Sequence, residues 1–151
     1  MKTKNQNLFF SEFIGKKIFY SNGNYLSKVK DLFVDFEEVY PSAIAIQFVK
    51  NNQFFYVEWS QISKITDRSI ILIDMPSLGR SRTFPVVKKP EQKIVKSILS
   101  HQFIGETIEY PPIGKVILDK QIVDTFGKKV VRVNDLNLLK VKNDIKVTHA
   151  S

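Results

Sequence analysis

The sequence predicts an all-β protein: a small antiparallel β-barrel, then a second, partial copy of the same unit, with a short connecting helix. Short apolar segments alternate with Gly, Asn and Pro turn sequences at close spacing, which is typical of a sheet that closes into a barrel. The chain also repeats its own pattern after 104 positions. We therefore expect a barrel over residues 9–79, a basic linker with the helix over 80–113, and the partial copy over 114–151.

The first predicted element is a β-hairpin in "KKIFYSNGNYLSKVKDLFVDF". Asn22-Gly23 favours a tight turn because both residues tolerate a positive φ. Neither face of the second strand is purely apolar, which predicts curvature and a β-bulge near Lys30-Asp31. Alternation places one set of side chains on one face (Leu26, Lys28, Lys30, Leu32, Val34) and another on the opposite face (Val29, Phe33).

Three further strands complete the predicted barrel. The segments "AIAIQFV" and "FFYVEW" are apolar, of strand length, and joined by the turn sequence "KNNQ". The next segment, "SQISKI", predicts a single helical turn, and "SIILIDM" predicts the fifth strand. No apolar run approaches the roughly 20 residues that a transmembrane helix needs.

The region between the copies is rich in proline, small residues and basic residues. Its sequence, "PSLGRSRTFPVVKKPEQ", indicates a linker or a long loop. The following "PEQKIVKSILSHQ" has an apolar stripe at helical spacing and begins with Pro90, a favoured first residue of a helix. We expect this amphipathic helix to cover one end of the barrel; a membrane surface is the alternative.

The repeat aligns Gly23 with Gly127 and Asp31 with Asp135. We expect Gly127 to form a second hairpin turn, and both aspartates to accept backbone hydrogen bonds at the bulges. The second copy has room for a hairpin and at most one more strand, which would leave an exposed strand edge. Three arrangements would protect that edge: packing on the first copy, completion by a second chain, or continuation into a longer protein.

The net charge of +8 is concentrated in two segments. Residues 80–99 contain six Lys/Arg and one Asp/Glu, and residues 114–151 contain eight and four. The first segment is either a solvated linker or a surface that contacts anionic lipid or RNA. On the second interpretation, the expected contact residues are Arg80, Arg82, Lys88 and Lys89.

Nothing in the sequence indicates catalytic chemistry. The chain has no cysteine, which excludes disulfides, zinc-thiolate sites and thiol nucleophiles. Neither His101 nor His149 has a recognisable base or nucleophile context, and no phosphate-binding or nucleophile-elbow glycine motif is present. We expect a protein that is not an enzyme and has no cofactor.

Two residue clusters have an alternative functional interpretation. The carboxylates Asp31, Asp35, Glu37 and Glu38 could hold a cation, but a strand end followed by a turn scatters them, so we expect turn carboxylates and no metal site. Phe54, Phe55, Tyr56 and Trp59 could stack on single-stranded RNA, but their position in one strand and its exit favours core packing.

Two stretches carry a resemblance to a known family. "FFSEFIGKKIFYSNGNYLSKVKDLFVDF", followed by "FFYVEWSQISKI", resembles the PRC-barrel family. The family pattern matches at Gly15, Gly23, Ser27, Lys28, Val29, Asp31, Trp59 and Ser60. "ILDKQIVDTFGKKVVRVNDLNL" resembles the corresponding segment of bacterial proteins that place PRC-barrel and CBS domains before an MgtE-type magnesium-transporter module.

The resemblance implies a β-barrel that acts as an interaction or regulatory module. On this basis we expect the cytoplasmic N-terminal region of an MgtE-related membrane protein, docking onto other domains of a longer chain or onto a second copy as a homodimer. The inner face of the membrane, through anionic lipid, is a further candidate partner. The alternative is an adaptor of the ribosome-maturation type that binds RNA or a ribosomal protein. The chain itself has no CBS pair and no transmembrane helix, so transport is not assigned to these residues.

Overall fold

The computed structural model describes residues 6–35, 37, 39–88, 106–117, 121–123, 130–132 and 135–150. The strands are β1 Gln6–Phe9, β2 Lys17–Phe19, β3 Tyr25–Asp35, β4 Ser42–Lys50, β5 Gln53–Glu58, β6 Ile62–Ile65, β7 Ser69–Leu72, β8 Leu78–Arg80, β9 Phe84–Lys88, β10 Glu106–Tyr110, β11 Gln121–Val123, β12 Val130–Arg132, β13 Leu136–Val141 and β14 Asp144–Ala150. Two short helices, α1 Phe10–Phe13 and α2 Ile113–Ile117, and a 3-10 turn, Trp59–Gln61, accompany them.

Ten of the described strands form one curled sheet, which confirms the all-β barrel prediction. Strands β6, β7, β2, β3, β4, β5 and β8 are neighbours in that order, and β14, β13 and β1 extend the sheet from the start of β4. One pairing departs from the antiparallel prediction: β2 and β7 run parallel, with Ile18 beside Ile70. Because β3 already occupies one edge of β2, a strand from far along the chain pairs with the other edge.

Strand β3 is long and irregular. The predicted bulge is present, because the register with β4 shifts between Val29 and Asp31. The predicted division of faces is wrong at Val29, which is buried in the same core as Leu26 and Leu32, whereas Phe33 lies in the other core as predicted. A second shift, in the pairing of β2 with β3 at Ile18/Phe19, contributes to this change. Each one-residue slip moves the following side chains to the other face of the sheet.

The turns follow the local sequence. Gly23 has φ +91° in the β2–β3 turn, and Asn51 and Asn52 have φ +52° and +62° between β4 and β5. Both sites use residues that tolerate a positive φ, as predicted. The segment "SQISKI" is only partly a helical turn, because the 3-10 turn ends at Gln61 and β6 begins at Ile62.

The second copy packs on the first, which is one of the three arrangements expected from the sequence. Strand β13 pairs with β1, with Leu8 beside Leu138, and β14 pairs with the start of β4. Leu138 and Ile145 are buried in the same core as Phe13. The two copies therefore share one hydrophobic core, and β13 and β14 lie between β1 and β4 of the first copy.

The segment expected to be a linker contains regular structure. Strands β9 and β10 form an antiparallel pair, and Arg80 is the last residue of β8. Phe84 and Tyr110 from this pair form a second small core with Phe33 and Ala45. The linker interpretation is therefore wrong over these strands, whose side chains cover the outer face of β3 and β4. The predicted helix at 90–102 lies outside the described residues, so the domain boundaries stay a prediction.

Candidate functional site

Asp31 of β3 caps the helix that opens the second copy. Its Oδ1 atom accepts a hydrogen bond from the Gly114 backbone N–H at 2.8 Å, and its Oδ2 atom accepts one from the Lys115 N–H at 3.1 Å. The Leu32 N–H donates to Oδ1 at 2.7 Å. Pro112, which precedes α2, has no side-chain acceptor, so a distant carboxylate satisfies the first amides of the helix.

Asp135 makes the corresponding contacts with the helix of the first copy. Its Oδ1 atom accepts from the Ser11 N–H at 3.1 Å, and its Oδ2 atom accepts from the Ser11 hydroxyl at 2.5 Å. The Leu136 N–H donates to Oδ1 at 2.8 Å. Phe9, before α1, also lacks a capping oxygen, although its own N–H donates to Glu12 at 3.1 Å.

The two caps are reciprocal. Ser11 and Lys115 are 104 residues apart, as are Asp31 and Asp135, and each aspartate caps the helix of the other copy. The helices also meet, because a Cβ atom on Gly114 would lie 2.8 Å from the Phe10 ring. Gly114 is the repeat equivalent of Phe10, so the contact joins equivalent positions. The two copies are therefore held together by a pseudo-symmetric exchange of carboxylates.

The two carboxyl groups titrate differently. Desolvation by burial raises the pKa of Asp31 above its ordinary value, against the lowering effect of the three backbone donors and Lys30. Burial also acts to raise the pKa of Asp135, but its hydrogen bonds from Ser11, Leu136 and Phe10 outweigh it, so that pKa is lowered. Asp31 is 7% exposed, whereas Asp135 is only partly buried. Similar hydrogen bonds are thus accompanied by opposite pKa shifts, because the two carboxyl groups are buried to different extents.

The four basic residues expected at an anionic surface have separate environments. Arg80 is exposed at the end of β8, whose residues pair with β5. Arg82 follows it in the loop, with its guanidinium 4.5 Å from the centre of the Phe54 ring. The backbone of Lys88 belongs to β9, and Lys89 lies outside the described residues. Gly127, the expected turn residue, is also outside them.

The acidic cluster is dispersed. Asp31 is turned into the sheet toward α2, and Asp35 accepts a hydrogen bond from the Glu37 N–H at 3.1 Å in the following turn. Glu38 lies outside the described residues. Within the part of the chain that the structure describes, no three carboxylate or histidine side chains converge as a metal site would require.

Trp59 links the two copies. Its ring stacks on Phe13 at 6.3 Å, and its indole N–H donates to the backbone oxygen of Asn143 at 2.7 Å. The Asn143 side chain donates in turn to the Ser63 oxygen at 3.2 Å. The neighbouring aromatics pack inward: Phe55 stacks on Phe48, and Tyr56 meets Phe84 edge to face. These contacts explain Trp59, Phe55 and Tyr56 as packing, whereas Phe54 lies against the Arg82 guanidinium.

A row of apolar side chains, three exposed and two half-buried, crosses β3, β2 and β7. Tyr25, Phe19 and Ile71 are cross-strand neighbours, and the rings of Tyr25 and Phe19 contact each other at 5.8 Å. Ile73, just after the end of β7, is 36% exposed, and Met75 two residues further is 94% exposed. Tyr25 is 50% exposed. We call these five side chains the apolar row.

Sequence reasoning identified both aspartates but not their partners. One signal for the partners was overlooked. Ser11 and Gly114 each lie near the start of a helix, and the residue before that helix has no side-chain oxygen that could cap it. The apolar row was not anticipated, because its members come from three strands and become adjacent only through the β2–β3 and β2–β7 registers.

The architecture defines a class: a small all-β barrel domain with the curled sheet and bulged long strand described above. Residues 5–78 match the PRC-barrel domain family, which covers the first copy including Gly23, Asp31 and Trp59. The PRC barrel is a non-catalytic module. No curated protein matches the chain. No helix within the described residues is long and apolar enough to cross a bilayer.

Proposed function

We propose that this chain is an interaction and regulatory module that docks onto a protein, either further domains of a longer chain or a second copy of itself. The observation that carries the proposal is the apolar row. Exposed aromatic and methionine side chains are enriched in protein interfaces, and a contiguous set of them on a small barrel is costly unless a partner covers it.

The rigidity of the barrel supports this role. The shared core, the two reciprocal caps and the Trp59 contact hold the sheet in one arrangement. The apolar row lies on strands fixed by pairing on both sides of β2. A rigid surface loses little conformational entropy on binding, so more of the gross interaction free energy appears as affinity.

A comparison of two tyrosines tests the docking surface. Tyr25 in the row is 50% exposed, and Tyr40 in a distant turn is 56% exposed, so the two provide a matched pair. We expect Tyr25→Ser, and more so Tyr25→Ser with Ile73→Ser, to weaken self-association or binding of the separately expressed downstream polypeptide, whereas Tyr40→Ser has little effect. Sedimentation measures the self-association, and calorimetry measures the binding of the downstream polypeptide. Equal losses at Tyr25 and Tyr40, or no association in either assay, would contradict the proposal.

In its specific form, the proposal is that the module forms the cytoplasmic N-terminal region of an MgtE-related magnesium-transporter-like protein of bacteria. The resemblance of the segment that contains Arg132-Val133-Asn134-Asp135 supports this. The reading frame beyond codon 151 provides the test. CBS repeats and hydrophobic spans downstream are the expected result; a stop codon would instead favour a free adaptor.

The charge of the chain favours a second candidate, an adaptor that binds RNA or a ribosomal protein. The net charge is +8, and Arg80 and Arg82 are exposed. Binding through such residues should weaken steeply with salt. Titrations with structured RNA and with anionic vesicles distinguish this candidate from an anionic membrane surface. They compare the wild type with a variant in which four residues are changed together to Gln: Arg80, Arg82, Lys88 and Lys89. Tight, salt-sensitive RNA binding that the variant loses would favour the adaptor.

A further inference from the structure

A cavity of about 330 Å³ lies between the two copies, apart from the apolar row. Its wall in the first copy comes from β3, β4 and β5, and its wall in the second copy comes from the start of α2. We call it the inter-repeat cavity. Its volume is at the lower end of the range for small-molecule sites, which suits a compact ligand.

The inter-repeat cavity is positively charged. Lys30, Arg82 and Lys115 line it, and Asp31 is its acidic residue, which leaves a formal charge of +2. In the described part of the chain, no carboxylate forms an ion pair with any of the three cations. Lys30 does attract the Asp31 carboxylate, but the cations of the cavity outnumber its one carboxylate. An excess of cations around a concave surface raises the local concentration of anions. The charge therefore predicts an anionic ligand.

Arg82 is positioned before any ligand arrives. Its backbone oxygen accepts a hydrogen bond from the side-chain amide of Gln47 at 3.1 Å, and Gln47 is only 3% exposed. Its guanidinium lies against the Phe54 ring. Stacking occupies the face of the guanidinium and leaves the N–H groups at its edge free to donate. This planar fork matches the oxygens of a phosphate group.

Asp31 reduces the net positive charge of the inter-repeat cavity. Its oxygens already accept the amides of Gly114, Lys115 and Leu32, so they are directed toward the start of α2. Its negative charge opposes any anion, but the three cations outnumber it, so the formal charge of the cavity stays at +2. A phosphate monoester carries about −1.5 to −2 at pH 7, which matches the formal +2 of the cavity.

We propose that the inter-repeat cavity binds a phosphate monoester or free phosphate, held by Arg82 with Lys30 and Lys115. Because it is lined by both copies, the bound group bridges them beside the Asp31 cap and stabilises their association. The source of the phosphate is a small molecule or the headgroup of phosphatidic acid. This inference is independent of the docking surface, since none of the cavity residues belongs to the apolar row.

A pair of neighbouring arginines provides the test. Calorimetric titration with inorganic phosphate and with glycerol 3-phosphate, at fixed ionic strength, should show saturable binding. Arg82→Gln should weaken it about tenfold, because a charge-assisted hydrogen bond is lost. Arg80→Gln, two residues away and outside the cavity, should change it by less than about twofold. Lys115→Gln serves as a second loss variant, because the residue is exposed and the substitution keeps the backbone N–H that donates to Asp31.

Asp31→Asn tests the sign of the electrostatic argument. Asparagine retains an acceptor oxygen for the α2 amides but removes the opposing charge, so phosphate affinity should rise about threefold or more.

Vesicles that contain phosphatidic acid form the second arm of the test. If the protein binds these vesicles but not the soluble phosphates, and Arg82→Gln weakens this binding more than Arg80→Gln does, the phosphate belongs to a lipid. Absence of binding in both arms, or equal losses for Arg80→Gln and Arg82→Gln, would overturn the proposal.

Discussion

The two aspartate caps have equivalent positions and equivalent partners, yet their environments differ. Asp31 is buried between β3 and α2, and its pKa is raised; Asp135 lies nearer the surface beside α1, and its pKa is lowered. Desolvation is the first cause in both cases, and at Asp135 it is outweighed by hydrogen bonds. The comparison shows that a repeated hydrogen-bond pattern does not repeat its energetics when burial changes.

The largest expected difference between the caps comes from truncation. Asp31→Ala leaves the amides of Gly114, Lys115 and Leu32 buried without their acceptor, so we expect a loss of about 3 kcal/mol in the free energy of unfolding. Asp135→Ala should cost only about 1 kcal/mol, because water reaches its partners. At this chain length the first loss lowers Tm by about 10 °C. Urea and thermal denaturation measure both. Equal losses would mean that burial does not distinguish the caps.

Gly114→Ala should disturb the buried cap alone. The added Cβ atom would lie 2.8 Å from Cζ of Phe10 and 3.0 Å from Oδ1 of Asp31. We expect a loss of about 2 kcal/mol from this overpacking. Gly23→Ala is the matched control: nothing lies within 4 Å of its added Cβ, so only the positive φ is penalised, at about 1 kcal/mol. A Gly114→Ala variant as stable as the wild type would show that the Phe10 contact is loose.

Trp59→Phe should weaken the side of the molecule that Asp135 holds. The change keeps an aromatic ring beside Phe13 but removes the indole N–H that donates to Asn143. We expect a loss of about 1 kcal/mol, measured by urea denaturation, because the Asn143 oxygen is solvent-accessible and recovers part of the bond from water. If the loss exceeds that of Asp31→Ala, Trp59 and not the reciprocal caps is the main link between the copies.

The smallest expected effect is a difference in pH dependence. With its pKa raised, Asp31 contributes stability that is fully present below its unfolded pKa of about 3.8 and is lost as pH rises through its folded pKa. With its pKa lowered, Asp135 contributes stability that is present above about 3.8 and is lost as pH falls through its folded pKa.

Asparagine variants separate these two contributions. From pH 3 upward to pH 7, the stability of the wild type relative to Asp31→Asn should fall, whereas its stability relative to Asp135→Asn should rise. Urea denaturation across this range provides both curves. Parallel curves would contradict the opposite pKa shifts.

Local sequence signals predicted much of the first copy correctly. Gly23, Asn51 and Asn52 have the positive φ expected of their turns, although Asn22 does not, and β3 bulges next to Asp31. The segment "SIILIDM" contains β7, as predicted. The failures lie where a partner far along the chain decides the outcome. Basic, proline-containing sequence at 84–88 suggested a linker, but pairing with β10 and packing on Phe33 make it a strand.

The candidate sites divide in the same way. The repeat identified Asp31 and Asp135, and the charge run identified Arg82. Neither signal identified Lys30 and Lys115 as the residues that complete the inter-repeat cavity. Both Arg80 and Arg82 belong to the same charge run, but Arg80 ends β8, whereas Arg82 lies in the loop against Gln47 and Phe54.

The sequence by itself determined the central strands of the first copy, the turns, the bulge and the existence of a repeat. These features depend on side-chain alternation and on φ preferences within a few residues of each position. Only the tertiary structure decided which helix each aspartate caps. The partners of Asp31 and Asp135 are 83 and 124 residues away, and no local preference selects them. They meet because β13 and β14 join the first sheet, bury one shared core, and bring each carboxylate to the uncapped helix of the other copy.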